Sequence, residues 1–409
     1  MKKIVLSALA ALTLGTVAAN AGATKLYQDE NGQVFTQAGE GRTAIKTPTS
    51  VTSHAGRLDF SGQAFIGFKS TSFDSYGTTP TASQNLSHDS ARDFEVRRGY
   101  LQTKAYFFDD PKSYYRVTLD LKRSSAVDGG SMVARAKYAY LNLNIDTLVP
   151  ATSLEIGLAH RPWHDYEEHN SWLYRNVSEI LIENHNSADL SSSADMGVMA
   201  KTRTKFLDTD IGVFNGEGYH SGNKNLNGLS LEWRFTGHLL GTHGHPTKNT
   251  YFDASFFGQL NKKHDTIDPT HNGDLDFYGF HTVYNMPAFL VAGEYVTSSD
   301  TASAGATTPS KHAGNGYSLN IEGRMGADHQ YKAFAKYDNW TPKSYGTEYT
   351  RKTEIFGVAW RQNSSVEWVA NATINDNDNN AYAWDSSKSK FASSTANGTS
   401  YMLTAQIDF

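Results

Sequence analysis

The 409-residue chain has no cysteine, only ten prolines and, beyond its first two dozen residues, no apolar run of membrane-helix length. The first absence excludes a disulfide framework and any thiolate metal or redox centre. The last excludes a helical membrane protein, whose spans need about 20 apolar residues in succession. An excess of positive charge is missing too. The net charge of −5 offers no basic face or tail for a nucleic acid. Two classes remain, a soluble all-β chain and a membrane barrel, because barrels run long as one unit.

What is present begins with an address. Lys2 and Lys3 precede an apolar stretch from Ile4 to Ala19, and Ala19-Asn20-Ala21 supplies small residues for cleavage. This layout predicts a secretory signal peptide over 1–21. Residues 22–56 then read as a periplasmic N-terminal extension, with Gly39, Gly41 and Pro48 breaking anything longer than one small turn around Gln28–Gln33.

From Arg57 onward the pattern is period two, the mark of a strand with two different faces. Tyr401, Leu403, Ala405, Ile407 and Phe409 alternate with Met402, Thr404, Gln406 and Asp408. Leu229, Leu231, Trp233 and Phe235 do the same against Ser230, Glu232 and Arg234. Such segments are about ten residues long, the length of a tilted strand crossing hydrocarbon, and aromatics cluster at their ends, where interfacial girdles lie. Sixteen can be marked over 57–409, the fifth at 152–161 and the last at 399–409. Connections alternate between tight turns, such as Asp109-Asp110-Pro111, and long Ser/Thr/Asn/Gly-rich loops, with Gly237–Lys248 the one long member of the short side. The fold expected is all-β: a transmembrane antiparallel β-barrel of sixteen strands, with short periplasmic turns and long extracellular loops.

Three stretches resemble the outer-membrane porins of the phosphate-selective O and P type. They are Asp93-Phe94-Glu95-Val96-Arg97-Arg98-Gly99-Tyr100; Ala136–Leu141 with Leu154-Glu155-Ile156-Gly157; and Asp195-Met196-Gly197-Val198 leading to Gly212–Gly216. The terminal Phe409 with Tyr401, Leu403 and Ile407 resembles the assembly signal of outer-membrane barrels. The resemblance implies a homotrimer in the outer-membrane lipid, an inward-folded third loop and a Lys/Arg-lined path for anions. On that reading 162–193, the longest connection, folds inward; Trp172, Val177, Ile180 and Leu181 are expected on the inner wall from a short helix within 171–182. Arg161, His164, Asp165, Glu167, Glu168 and Arg175 would then charge the narrowest point.

Strand phase points Arg98, Lys104, Arg116, Arg135 and Lys137 inward, together with Glu95, Asp120 and Glu155. Either the basic residues form an unpaired stripe that favours anions, or the acidic ones bridge them. The cluster His160, His164, Asp165, Glu167, Glu168 and His169 fits no metal-ligand spacing, and Asp376–Asn380 departs from a calcium loop at Ala381 and Ser387. No nucleophile elbow occurs. Neither metal, cofactor nor enzymatic step is expected. The leading expectation is a water-filled channel for passive diffusion of small hydrophilic solutes and ions, phosphate among them. The alternatives are a surface barrel that binds a partner through its loops, and an outer-membrane hydrolase.

Overall fold

In the computed structural model the residues described are 27–29, 34–35, 37–44, 55–75, 87–107, 109–123, 131–219, 228–262, 274–301, 312–344, 347–348, 350–377, 384–385, 390–391 and 397–409. The signal peptide expected over 1–21 lies outside them. The chain divides into two units, Met1–His54 and Ala55–Phe409. In the first, Tyr27–Gln28 pairs antiparallel with both Val34–Phe35 and Thr43–Ala44. The extension therefore holds more than a single turn. Gly41, at φ +74°, lets the chain reverse into the third of these short strands.

The second unit is a closed barrel. Its sixteen strands are β1 (Ala55–Ser75), β2 (Ser87–Phe107), β3 (Tyr114–Arg123), β4 (Met132–Asn144), β5 (Thr152–His160), β6 (Ala194–Arg203), β7 (Leu207–Phe214) and β8 (Ser230–His238), followed by β9 (Tyr251–Asn261), β10 (Leu275–Met286), β11 (Phe289–Asp300), β12 (Gly314–Met325), β13 (Tyr331–Ser344), β14 (Arg351–Arg361), β15 (Val366–Asn377) and β16 (Gly398–Asp408). Each pairs antiparallel with its neighbour in sequence, and β16 pairs with β1 from Gly398↔Phe73 to Asp408↔Gln63. Closure removes the open edge that would leave backbone groups unpaired. Alternation is regular. In β10, Phe277, His281 and Val283 turn inward and are buried, whereas Tyr278 and Phe280 face outward and are exposed.

The seam is finished by the last residue. Phe409 exchanges backbone hydrogen bonds with Gly62, N to O at 3.0 Å and O to N at 2.7 Å. Its ring lies over Gly62, where a Cβ would come within 2.3 Å of Phe409 Cζ. Only glycine admits the ring there.

Two β-bulges alter the lumen. Pairing of β1 with β2 passes from Phe65↔Arg98 to Ile66↔Val96 and leaves Arg97 unopposed. Pairing of β3 with β4 passes from Thr118↔Tyr138 to Leu119↔Ala136 and leaves Lys137 unopposed. A bulge shifts the side-chain phase by one, so Arg97 and Arg98 both point inward, as do Lys137 and Tyr138.

Between β5 and β6, residues 161–193 pack against inward side chains of the barrel. Helix α1 (His164–Asn170) carries Asp165 and Glu167 in its first turn and His169 in its last, the charge order its dipole favours. The helix expected within 171–182 is not formed. That segment runs in tight turns, with Val177 N bonded to Tyr174 O at 2.9 Å and Asn184 N to Ile180 O at 2.9 Å. Asn176, Ser178 and the β-branched Val177, Ile180 and Ile182 disfavour a helix. Ile180, Leu181 and Ile182 are all fully buried, which a one-sided amphipathic helix cannot achieve with consecutive residues.

Candidate functional site in the barrel lumen

The inner loop fills one side of the barrel. Trp163, Trp172, Tyr174, Val177, Ile180, Leu181 and Ile182 form one buried cluster with Phe257, Phe334, Trp340, Ile355, Val369 and Met402 from strands β9 to β16. Trp163 stacks on Phe257 and Tyr174 on Phe334, at 3.8 Å and 3.6 Å between ring centroids. Polar contacts fix the backbone as well. Tyr251 Oη donates to Asn170 O at 2.8 Å, and Arg97 Nη1 donates to Asn176 O at 2.6 Å. Arg161, wholly buried, donates from Nε to Glu232 Oε2 at 2.8 Å and from Nη2 to Gln259 Oε1 at 2.7 Å.

The opposite wall, β1 to β4, carries cations in two states. Some are neutralised. Asp120 takes both Arg135, at 2.9 Å, and Arg98, at 3.6 Å. On the adjoining β5 and β6, Lys201 likewise reaches Glu155 at 3.0 Å. Others rest on tyrosine. Lys104 Nζ stands 5.0 Å from the Tyr114 ring centroid, Arg116 Cζ 4.6 Å from that of Tyr138, and Lys137 Nζ 4.8 Å from that of Tyr100. Among the described residues none of these three forms an ion pair with a carboxylate. Arg116 meets Glu155 only through His160. Arg116 Nη1 lies 3.0 Å from His160 Nε2, which must accept, and His160 Nδ1 lies 3.0 Å from Glu155 Oε2. A ring face holds a cation by its quadrupole without cancelling its charge, so these three keep theirs.

Two cavities lie on either side of the loop. One of about 1120 Å³ opens towards the short-turn end and is lined by Arg116, Lys137, Tyr138, Asp165 and Glu168, among others. The connection Leu239–Thr250 folds inward beneath it, held by Arg324 Nη1 on Pro246 O at 3.0 Å, and adds His243 and His245 to its lining. The other cavity, of about 300 Å³, has Arg97, Arg98, Lys122 and Glu179 in its walls. Phe65 and Arg175 line both.

No protein-family model matches the sequence, and no curated protein matches it either. Solved structures do. The anion-selective porin from Comamonas acidovorans superimposes with a TM-score of 0.60 at 9% identity, over 86% of this chain and 99% of that one. The outer-membrane protein OmpT of Vibrio cholerae gives 0.55 at 11%, over 86% and 97%. OmpF of Salmonella typhi, solved with daunomycin, gives 0.55 at 11%, over 87% and 98%. The fold is that of the outer-membrane porins.

Within this porin fold the residues read from sequence separate into groups. Arg98 and Arg135 share Asp120, so the unpaired stripe is reduced to Arg116, Lys137 and Lys104. Glu95 pairs with Arg97 at 3.2 Å. Arg97 itself is not singled out by the sequence; the bulge sets it on the inner face with both Glu95 and Arg98. Of the loop charges, Asp165, Glu168 and Arg175 border the larger cavity. Arg161, His164 and Glu167 do not. Arg161 and Glu167 are buried against β8 to β13 and His164 within the loop itself, where pairing or burial disposes of their charge. His164 is pushed down to about 3 by burial, against the pull of Glu183, and is neutral. Glu183 is a loop carboxylate missed in the sequence; burial works against its ionisation, but Arg175 outweighs it and holds the group far below the usual range. Arg175 also reaches Glu168 at 2.9 Å and Glu179 at 3.6 Å. The terminal residues Tyr401, Leu403 and Phe409 face outward, half or more exposed, and Ile407 is partly buried on the same face.

Proposed function

We propose that the chain is an outer-membrane porin: a water-filled passage for passive diffusion of small hydrophilic solutes, with preference for anions. The observation that carries this reading is the seating of Lys104, Arg116 and Lys137 on tyrosine rings across from the inner loop. Charge lining a pore sets its selectivity where it is uncompensated. The loop residues 162–193 set the narrowest point, and selection there is electrostatic and steric, with no chemical step. In the same reading 1–21 is a cleaved export signal, 22–56 stays in the periplasm, and the barrel works as a trimer in lipid. OmpT of Vibrio cholerae, which shares the fold, has been solved in a trimer form.

The test is a planar-bilayer recording under a KCl gradient. The reversal potential should report anion preference in the wild type. Lys104→Gln, Arg116→Gln and Lys137→Gln combined should move it towards cations. An unchanged potential in a folded triple variant would place selectivity elsewhere.

A further inference from the structure

The smaller cavity, on the long-loop side of the inner loop, has two kinds of wall. Of the cations in it, Arg97 is met by Glu95, Arg98 by Asp120, and Arg175 by Glu168 and Glu183. The one carboxylate of the lining, Glu179, is shared by Arg98 at 3.9 Å and Arg175 at 3.6 Å. Lys69 on β1 and Lys122 on β3 are different. Both are half-buried in the lining, open to the cavity, and among the described residues neither has an ion pair or a hydrogen bond. Their charge is available to a solute.

The stretch of wall beside Lys69 is neutral and polar. Strand register places it there: Lys69 stands opposite Met402 on β16, and Met402 opposite Asn371 on β15. Further along the same face of β15 come Thr373 and Asn375, both half-buried and both in the lining. Thr373 Oγ1 accepts from Asn371 Nδ2 at 3.1 Å, and Asn375 Oδ1 accepts from Thr353 Oγ1 at 3.0 Å. The Thr373 hydroxyl hydrogen and Asn375 Nδ2 have no acceptor among the described residues. Asn186 of the inner loop adds a half-buried amide whose side chain is likewise without a partner there. Lys69 and the β15 groups are two strands apart, about 10 Å between backbones. The cavity, of about 300 Å³, is at the small end of ligand sites.

A compact inorganic anion is too short to span that distance and would use the ammonium end alone. A neutral sugar would use the other end alone. A short chain with an anionic group at one end and hydroxyls along the rest meets both, since each hydroxyl can accept from Thr373 or Asn375 and donate to the Asn186 carbonyl. We infer that the solute class favoured in this cavity is a small polyhydroxylated carboxylate, a sugar acid. The inference rests on the porin reading and narrows it.

The experiment uses the full-length barrel in planar bilayers, with the KCl current read as sodium gluconate, sodium acetate, sodium phosphate or glucose is added. Gluconate should reduce the current at a concentration about tenfold lower than acetate, the ratio that two net hydrogen bonds supply. Phosphate and glucose should both be weaker than gluconate. Thr373→Val with Asn375→Ala should bring gluconate to the level of acetate. Lys69→Gln with Lys122→Gln should abolish block by both carboxylates. Equal block by gluconate and acetate in the wild type, or stronger block by phosphate or glucose, overturns the inference while leaving the porin reading intact. So does either double variant that conducts and keeps the wild-type response to gluconate. A folded barrel that carries no KCl current at all overturns the porin reading, and this inference with it.

Discussion

Trp163 lies flat on Phe257, the two ring planes 2° apart and their centroids 3.8 Å from each other. One residue comes from the loop between β5 and β6 and the other from β9, so the stack clamps the start of the inner loop to the far wall. The loop is thus a packed layer of the barrel interior.

If that clamp holds the loop, Trp163→Ala should loosen it. Truncating a buried tryptophan costs about 3–5 kcal/mol, and here the loss falls on loop docking, since the strand ladder is untouched. Single-channel records should show a larger, noisier conductance with the heat-modifiable barrel retained. A quiet channel of wild-type conductance would mean that the stack contributes nothing to loop position.

A second expectation concerns pH. Glu167 on α1 is wholly buried and meets Glu294 of β11, with Lys336 and Asp338 of β13 beside it. Two buried carboxylates this close repel when both are ionised, so one keeps a proton. Burial pushes the Glu167 carboxyl from 4.5 up to about 8, against Lys336. A raised carboxyl binds its proton more tightly in the docked state. Its contribution is complete below about pH 4.5 and is lost as pH rises towards 8. Conductance noise should therefore grow between pH 5 and 9, and Glu167→Gln should flatten that dependence. A wild-type channel equally quiet at both ends would refute the shared proton.

The buried pair Arg161–Glu232 gives a third. Arg161→Met leaves a carboxylate without its partner and should destabilise by about 3–5 kcal/mol, whereas Arg161→Met with Glu232→Met should recover most of that. The midpoint of heat modifiability on gels measures both. If single and double variants are equally weak, the pair is not what matters at that position.

Barrel closure supplies the fourth. Gly62→Leu would drive a side chain into the Phe409 ring, and deletion of Phe409 would remove the two backbone bonds at the seam. Both should lower the yield of folded barrel sharply, and Gly62→Ala should do so less. Normal yield from the Phe409 deletion would show that β1 and β16 close without it.

The strands were legible because a wall with apolar matter on one side and a polar lumen on the other imposes period two on nearly every segment, as in Tyr401–Phe409. The barrel's closure followed from the same pattern. Less legible was anything set by contacts distant in sequence. Arg161 and Glu167 look like exposed loop charges until Glu232 and Glu294 are brought beside them, and no local signal announces those partners. The turns over 171–182 were mistaken for a helix because their apolar residues recur at helical spacing, while their burial comes from several strands at once. Arg97 escaped because a bulge leaves no trace in a two-residue count.

That last point bears on how such a channel changes its solutes over generations. The residue at a bulge stands outside the pairing on both sides, so removing it returns the strands to regular alternation without moving any other side chain to the opposite face. At Arg97 or Lys137 one codon lost or gained takes a cation out of the lumen or puts one in, while the lipid-facing surface is conserved. Elsewhere along a strand the same event would turn the wall inside out. Selectivity at these two places is open to insertion and deletion as well as to substitution, and near relatives of this chain should differ there in length before they differ in the flanking strands.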